Sequence, residues 1–282
     1  MPDTTILMDG LHFAECPRWH DGKLWFSDMR AHCVRTLDLD GTSEVVVEVV
    51  PNRSGGVGWG PGGLGWGPDG SLLVVAMTDR RLLRFDGGQL TEVADLSPQI
   101  PFGLNDMVVD AVGRAYIGNF GFDPEVSEQP EATSLMRVDP DGSTSVAADD
   151  LIMPNGVVIT PDGTTLIVAE TSAAKLTAFD VAPDGALSNR RDWAVFDGEY
   201  PDGICLDAEG ALWVSAPTGT DVLRVREGGE ITARVSTSNH PLACMLGGPE
   251  RRHLFVCTLD EPENRTARIE VVEVAVPGAG LP

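Results

Sequence analysis

In Trp66-Gly67-Pro68-Asp69-Gly70-Ser71-Leu72-Leu73-Val74-Val75-Ala76, an apolar segment runs into a Pro-Asp-Gly turn and straight out into a β-branched, apolar segment. That is the pattern of a tight antiparallel hairpin. The unit recurs around Val108-Val109-Asp110-Ala111-Val112-Gly113, Val158-Ile159-Thr160-Pro161-Asp162-Gly163 and Cys205-Leu206-Asp207-Ala208-Glu209-Gly210. Trp19-His20-Asp21-Gly22-Lys23 is a first copy with a turn one residue shorter, and Leu246-Gly247-Gly248-Pro249-Glu250-Arg251 is a sixth that lacks the turn glycine.

The turn glycines Gly22, Gly70, Gly113, Gly163 and Gly210 lie 48, 43, 50 and 47 residues apart. Each copy is followed by a second hairpin, with turns at Asp40-Gly41, Gly87-Gly88, Asp141-Gly142, Asp184-Gly185 and Gly228-Gly229. Two hairpins per repeat make a four-stranded antiparallel blade, and six such repeats take up all 282 residues. One blade alone leaves apolar faces in water, whereas radial stacking buries them. The expectation is an all-β, six-bladed β-propeller forming one domain over 1–282. Its last blade ends with Arg268–Val274 and is closed by an N-terminal strand at Thr4–Met8.

Composition excludes several functions. The chain carries 20 Lys+Arg against 43 Asp+Glu, a formal net charge of −23, with no basic run longer than a pair. Nucleic acid and acidic membrane surfaces need a basic face, so neither is an expected partner. Hydrophobic residues make up 42% of the chain, enough to build a core rather than a disordered polyanion. The start, Met1-Pro2-Asp3-Thr4-Thr5-Ile6, has no signal-peptide pattern, and no apolar run is long enough to span a membrane. Cys16, Cys33, Cys205, Cys244 and Cys257 are odd in number and scattered, which fits free, buried thiols in a reducing compartment. A cytoplasmic location follows as an expectation.

In a propeller the innermost strands all start at one face around a central channel, so equivalent residues converge there. Eight residues before the turn glycine stand Asn105, Asn155 and Asp202, and the shortened first turn puts Glu15 at seven. The second blade offers Gly62 at this position, and the sixth a small residue near Ala243. Any one of these side chains alone suits a strand-leading turn that bonds its own backbone, as Pro17, Pro154 and Pro201 suggest. Matched placement in four blades instead points to a shared ligand. Two carboxylates and two carboxamides form an all-oxygen set of the kind hard divalent cations take, with Ca²⁺ favoured and Mg²⁺, Mn²⁺ or Zn²⁺ as alternatives.

The segments Glu15-Cys16-Pro17-Arg18-Trp19, Asn105-Asp106, Pro154-Asn155-Gly156 and Pro201-Asp202-Gly203 resemble, in order and spacing, the motifs of the SMP-30/gluconolactonase/luciferin-regenerating-enzyme-like family, over nearly the whole chain. The resemblance implies a metal-dependent hydrolase, usually of lactones, with Glu15, Asn155 and Asp202 as metal ligands. It also implies Asn105 as a contact to substrate or to a metal-bound water, and Asp202 as general base. One departure is Gly103, where sugar-lactone members of the family often carry Arg two residues before the Asn. With Trp59, Trp66, Phe102, Phe120 and Phe122 expected near the mouth, that favours a less polar lactone or ester. Asp28, Asn119 and Glu170 end the second strands of their blades and return toward the same face, so Asn119, Phe120 and Glu170 join Asn105 as expected substrate contacts.

Other signals carry less. Gly58-Trp59-Gly60-Pro61-Gly62-Gly63 fits a dinucleotide fingerprint by spelling, yet no Rossmann-type strand precedes it and no helix follows. Asp38-Leu39-Asp40-Gly41 lacks the later Glu of a calcium loop, and the histidines show no zinc spacing. Strand alternation points Cys16 away from Glu15, and no Gly-x-Ser-x-Gly elbow exists. Two readings stand beside the hydrolase: a non-catalytic propeller stiffened by a cation and binding a protein, and a same-fold enzyme with another reaction, such as phosphotriester cleavage or isomerisation. The oligomeric state is left open.

Overall fold

The computed structural model describes residues 3–52, 58–123, 129–260 and 266–280. It is a six-bladed β-propeller of four-stranded antiparallel sheets. The inner strands of blades 1 to 6 are Ala14–His20, Pro61–Trp66, Leu104–Val109, Pro154–Ile159, Ile204–Leu206 and His240–Gly247. Blades 1 to 5 are meanders of consecutive strands. Blade 6 takes its outer strand from Thr5–Leu11, which pairs antiparallel with Ala267–Glu273, Thr5 opposite Val271 and Leu11 opposite Ala267. The closing strand thus runs three residues further than the apolar pattern indicates. A buried carboxylate fastens it: Glu270 accepts hydrogen bonds from Thr4 Oγ1, from Thr258 Oγ1 at 2.9 Å and from Ser238 N at 3.0 Å.

The turns obey their residues. Asp21 and Gly22 both have positive φ, 49° and 79°, the two-residue primed turn whose twist matches the flanking strands, which is why this copy is one residue shorter. In the sixth blade Arg251 itself adopts φ 56° and donates its N–H to Gly248 O at 3.0 Å, so a non-glycine residue replaces the lost glycine.

The core is divided among the seams between blades. Leu24 and Phe26 of blade 1 pack with Leu254 and Phe255 of blade 6, and Trp19 stacks on Phe255 at 5.5 Å. Among the described residues, no helix is long and apolar enough to cross a membrane. All five cysteines are free and buried.

Two repeated devices shape the channel. Five of the six inner strands slip register just after they begin, between Glu15 and Arg18, Pro61 and Leu64, Leu104 and Met107, Pro154 and Val157, and Pro241 and Ala243. Such bulges re-aim side chains. By this register the sixth blade presents Leu242 rather than Ala243 at the convergent position, because Pro241 is the residue paired with Thr258. The next position inward is then crowded by the neighbouring blade. A Cβ on Gly156 would lie 2.5 Å from Asp202 O, and one on Gly203 2.4 Å from the Ala243 Cβ, so glycine there is a requirement of close approach.

At the opposite mouth, the C-terminal residues cross from blade 6 to blade 5. Gly278 N donates to Arg251 O at 2.8 Å and Ala279 N to Leu206 O at 3.0 Å.

Candidate functional site

Glu15, Asn105 and Asn155 are buried and Asp202 half-buried, each leading the inner strand of its blade. The structure brings Glu15, Asn155 and Asp202 together. The Asn155 amide lies beside Asp202 and favours its ionised form, and the Asp202 carboxylate is close enough to Glu15 to disfavour its ionisation. Burial, then the charge on Asp202, holds Glu15 well above the usual carboxylate range, although its Oε2 accepts from Cys16 N at 2.7 Å. Burial likewise pushes Asp202 up to about 7, against the stabilising bond from Asn155. Two neighbouring carboxyl groups, one buried and one half-buried, disfavour their own charges unless a cation joins them.

The nearest guanidinium is already committed. Arg18 Nη2 donates to Asp106 Oδ1 at 2.7 Å and to Met107 O at 2.6 Å, and Nη1 donates to Pro17 O at 2.9 Å. Both partners are buried, so this pair spans from blade 1 to blade 3 and crosses the channel next to the carboxylates. The sequence reading missed it. Its signal was a charged residue in the middle of an inner strand and an Asp following Asn105. Removing one member of a buried pair strands the other charge. Arg18→Met is therefore expected to cost about 3–5 kcal/mol in urea denaturation, and Arg18→Met/Asp106→Leu to recover part of it. A loss in the double variant as large as in the single would mean the charge is not the cause.

Asn105 Nδ2 is buried and has no hydrogen-bond partner among the described residues, leaving a donor available at the channel. Unsatisfied buried donors are costly and uncommon, and they point to a missing partner. Among the described residues no three His, Cys, Asp or Glu side chains form a metal cluster. The convergent set is two carboxylates with carboxamides, an oxygen-only chemistry that fits a hard divalent cation.

Two expected substrate contacts are held by protein partners. Glu170 accepts from Ile152 N at 2.9 Å, at the end of blade 3's outer strand, and from Thr177 Oγ1 at 2.5 Å and Arg190 Nη2 at 3.1 Å within blade 4. Asn119 is turned into blade 3: Nδ2 donates to Ser134 O at 2.8 Å, and Oδ1 accepts from Thr133 Oγ1 at 2.8 Å and Gly121 N at 3.1 Å. Both are fully buried: Asn119 ties strands of blade 3, and Glu170 ties blade 4 to the end of blade 3. Asp28 does the same, accepting from Phe13 N at 2.9 Å.

Phe120, by contrast, is half-buried and lines a cleft with Trp59, Phe102, Gly103 and Arg80 at the mouth between blades 2 and 3. A Cβ on Gly103 would stand 3.3 Å from the Phe120 ring, so the ring occupies the space beside it. Phe122 packs edge-on against Phe120 at 6.0 Å, and Trp59 packs against Phe13 at 4.9 Å. Trp66 is not part of this rim. It ends its inner strand at the other face, stacked on His20 at 3.9 Å and perpendicular to Trp25.

Cys16 departs from simple alternation. It sits at φ 51° within the bulge, and burial, then the charge on Asp106, pushes its thiol well above its ordinary range. A thiol held neutral in this way is a poor nucleophile.

A six-bladed propeller whose blades aim buried oxygen donors at one mouth defines a class, and comparison with known proteins narrows it. The family model for the SMP-30/Gluconolactonase/LRE-like region matches residues 13–260, and the chain belongs to that family. It is 25% identical over 269 residues to regucalcin of Danio rerio, covering 89% of this chain and 84% of the relative. It is 25% identical over 289 residues to a 6-deoxy-6-sulfogluconolactonase of Pseudomonas putida, covering 95% and 93%. Among solved structures, a gluconolactonase from Xanthomonas campestris superposes with a TM-score of 0.74 at 25% identity, covering 96% of this chain and 89% of the other.

Proposed function

We propose that this protein is a divalent-cation-dependent hydrolase that opens a lactone or related ester at the mouth of the propeller channel. Glu15, Asn155 and Asp202 are the cation's protein ligands, with Ca²⁺ the first choice and Mn²⁺, Mg²⁺ or Zn²⁺ the alternatives. The observation that carries this reading is the convergence of buried Glu15 and half-buried Asp202, two carboxyl groups beside an Arg18 that is spent on Asp106. The lactonase relatives supply the reaction class.

When bound, the cation polarises the substrate carbonyl as a Lewis acid and makes a water more acidic. The rest falls to side chains. Asp202 takes the proton as water oxygen bonds to the carbonyl carbon, and returns it to the ring oxygen as the ring C–O bond breaks. Asn105 Nδ2, lacking a protein partner, donates to the carbonyl oxygen as negative charge develops there. Phe120 and Trp59 shape the wall next to Gly103, which supports a less polar substrate than a sugar lactone. The whole of 1–282 serves as one propeller domain, and the free, buried thiols suit a cytoplasmic setting.

The test is a panel of aldonolactones, alkyl- and aryl-substituted lactones and simple esters, assayed after EDTA treatment with each cation restored in turn. Hydrolysis that appears only with a cation, and favours the substituted lactones, is the expected result. Flat rates across the panel with every ion would return the chain to the non-catalytic, protein-binding reading.

A further inference from the structure

Two groups take the NH₂ side of the Asn155 amide: the Asp202 carboxylate beside it and a hydroxyl at the rim. Thr171 opens the 3-10 turn Thr171–Ala173, directly after the buried Glu170, and its N–H donates to Met153 O at 3.2 Å. Its Oγ1 lies 2.7 Å from Pro201 O and 3.2 Å from Asn155 Nδ2. A hydroxyl has a single hydrogen, and a carbonyl oxygen only accepts. The Thr171 hydrogen therefore goes to Pro201 O, and toward Asn155 the hydroxyl is purely an acceptor. Only the NH₂ side of the amide satisfies it. The flipped amide would set Asn155 Oδ1 against an oxygen lone pair.

Asn155 Nδ2 is thus held toward Thr171, and Oδ1 is turned away from it. The same hydroxyl reaches the carbonyl immediately before Asp202, joining the blade that carries Asn155 to the blade that carries Asp202.

We propose that Thr171 is a positioning residue for the cation: its hydroxyl fixes the Asn155 amide with Oδ1 presented as a ligand and sets the spacing between Asn155 and Asp202. The proposal rests on the reading of Glu15, Asn155 and Asp202 as the ligand set. Outer partners that orient ligands are worth about 10–100-fold in metal affinity.

The measurement is calorimetric titration of the EDTA-treated full chain with Ca²⁺ alone, without substrate, repeated with Mn²⁺ and Zn²⁺. Thr171→Val keeps the shape and loses both bonds; it is expected to weaken binding at least tenfold. Thr171→Ser keeps the hydroxyl and is expected to bind within about twofold of the parent, since the loss predicted above belongs to the hydroxyl alone. Asn155→Asp supplies the control that separates positioning from general support. A carboxylate presents oxygen on both sides and needs no orientation, so Thr171→Val in that background is expected to cost much less.

A valine variant that binds like the parent overturns the proposal, as does a loss of equal size in the parent and in the Asn155→Asp background. Should the valine variant fail to fold by circular dichroism, Thr171→Ala against Thr171→Ser makes the same comparison. A folded parent that binds none of the three ions overturns the ligand-set reading, and this proposal with it; a parent that binds while Thr171 proves indifferent overturns this proposal alone.

Discussion

Asp202→Asn is expected to lower kcat for the best lactone by about a thousandfold while the protein still binds its cation, more weakly than the parent. The substitution keeps an oxygen at the ligand position and removes the proton acceptor. Loss of a positioned general base costs typically about 10²–10⁴-fold. Half-buried Asp202 lies beside Asn155 and near Glu15, so the change also removes the principal neighbouring charge that holds Glu15 up. The apparent pKa of Glu15 in the cation-free variant should therefore fall toward its ordinary value. Steady-state kinetics, cation titration and a carboxyl titration followed by NMR read the three effects separately. Turnover within tenfold of the parent would remove Asp202 from the proton-transfer step.

The second large effect is on stability without cation. Asp202 has its folded pKa raised to about 7 from an ordinary 3.8, and Glu15 moves in the same direction, both chiefly through burial. Between about pH 4 and 7 the folded state then binds more protons than the unfolded state, so stability falls as pH rises through that window and levels off above it. The cation-free protein should melt at a lower temperature at pH 8 than at pH 5.5. A cation bound only by the folded state reverses this, adding about 2.7 kcal/mol at a hundredfold excess over its Kd, on the order of 5–10 °C in Tm. It should also flatten the pH profile, because its ligands stay ionised. Differential scanning calorimetry at several pH values, with EDTA and with Ca²⁺, checks both. Melting that rises with pH in EDTA would contradict the paired-carboxylate geometry.

The fold was readable because its repeat is written in turns. The glycines recur at nearly constant spacing, and a hairpin has few ways to form. Counting from those glycines also aligned Glu15, Asn105, Asn155 and Asp202, since the inner strands all start at one face. The same count says less about the far end of the second strands. Asn119 and Glu170 end at that face, and their side chains take hydrogen bonds from neighbouring strands, partners that a count along the chain does not carry. Trp66 could have been placed correctly: it closes an inner strand whose first residue is at the other mouth. The Arg18–Asp106 pair and the Thr171 bridge join different blades, and no local pattern encodes which blade a side chain will reach. The bulges that bring Leu242 rather than Ala243 to the channel are one-residue slips, below what hydrophobic alternation resolves.

The Arg18–Asp106 pair has a kinetic corollary. Its bonds run from blade 1 to blade 3 beside the carboxylates, so they take up room at the axis. Under the proposed chemistry, a product that leaves by the mouth through which substrate enters competes with it. The ring-opened hydroxy acid is an anion leaving a protein of net charge −23, and like charge hastens its exit. Added salt, by screening that repulsion, should lengthen the product's stay.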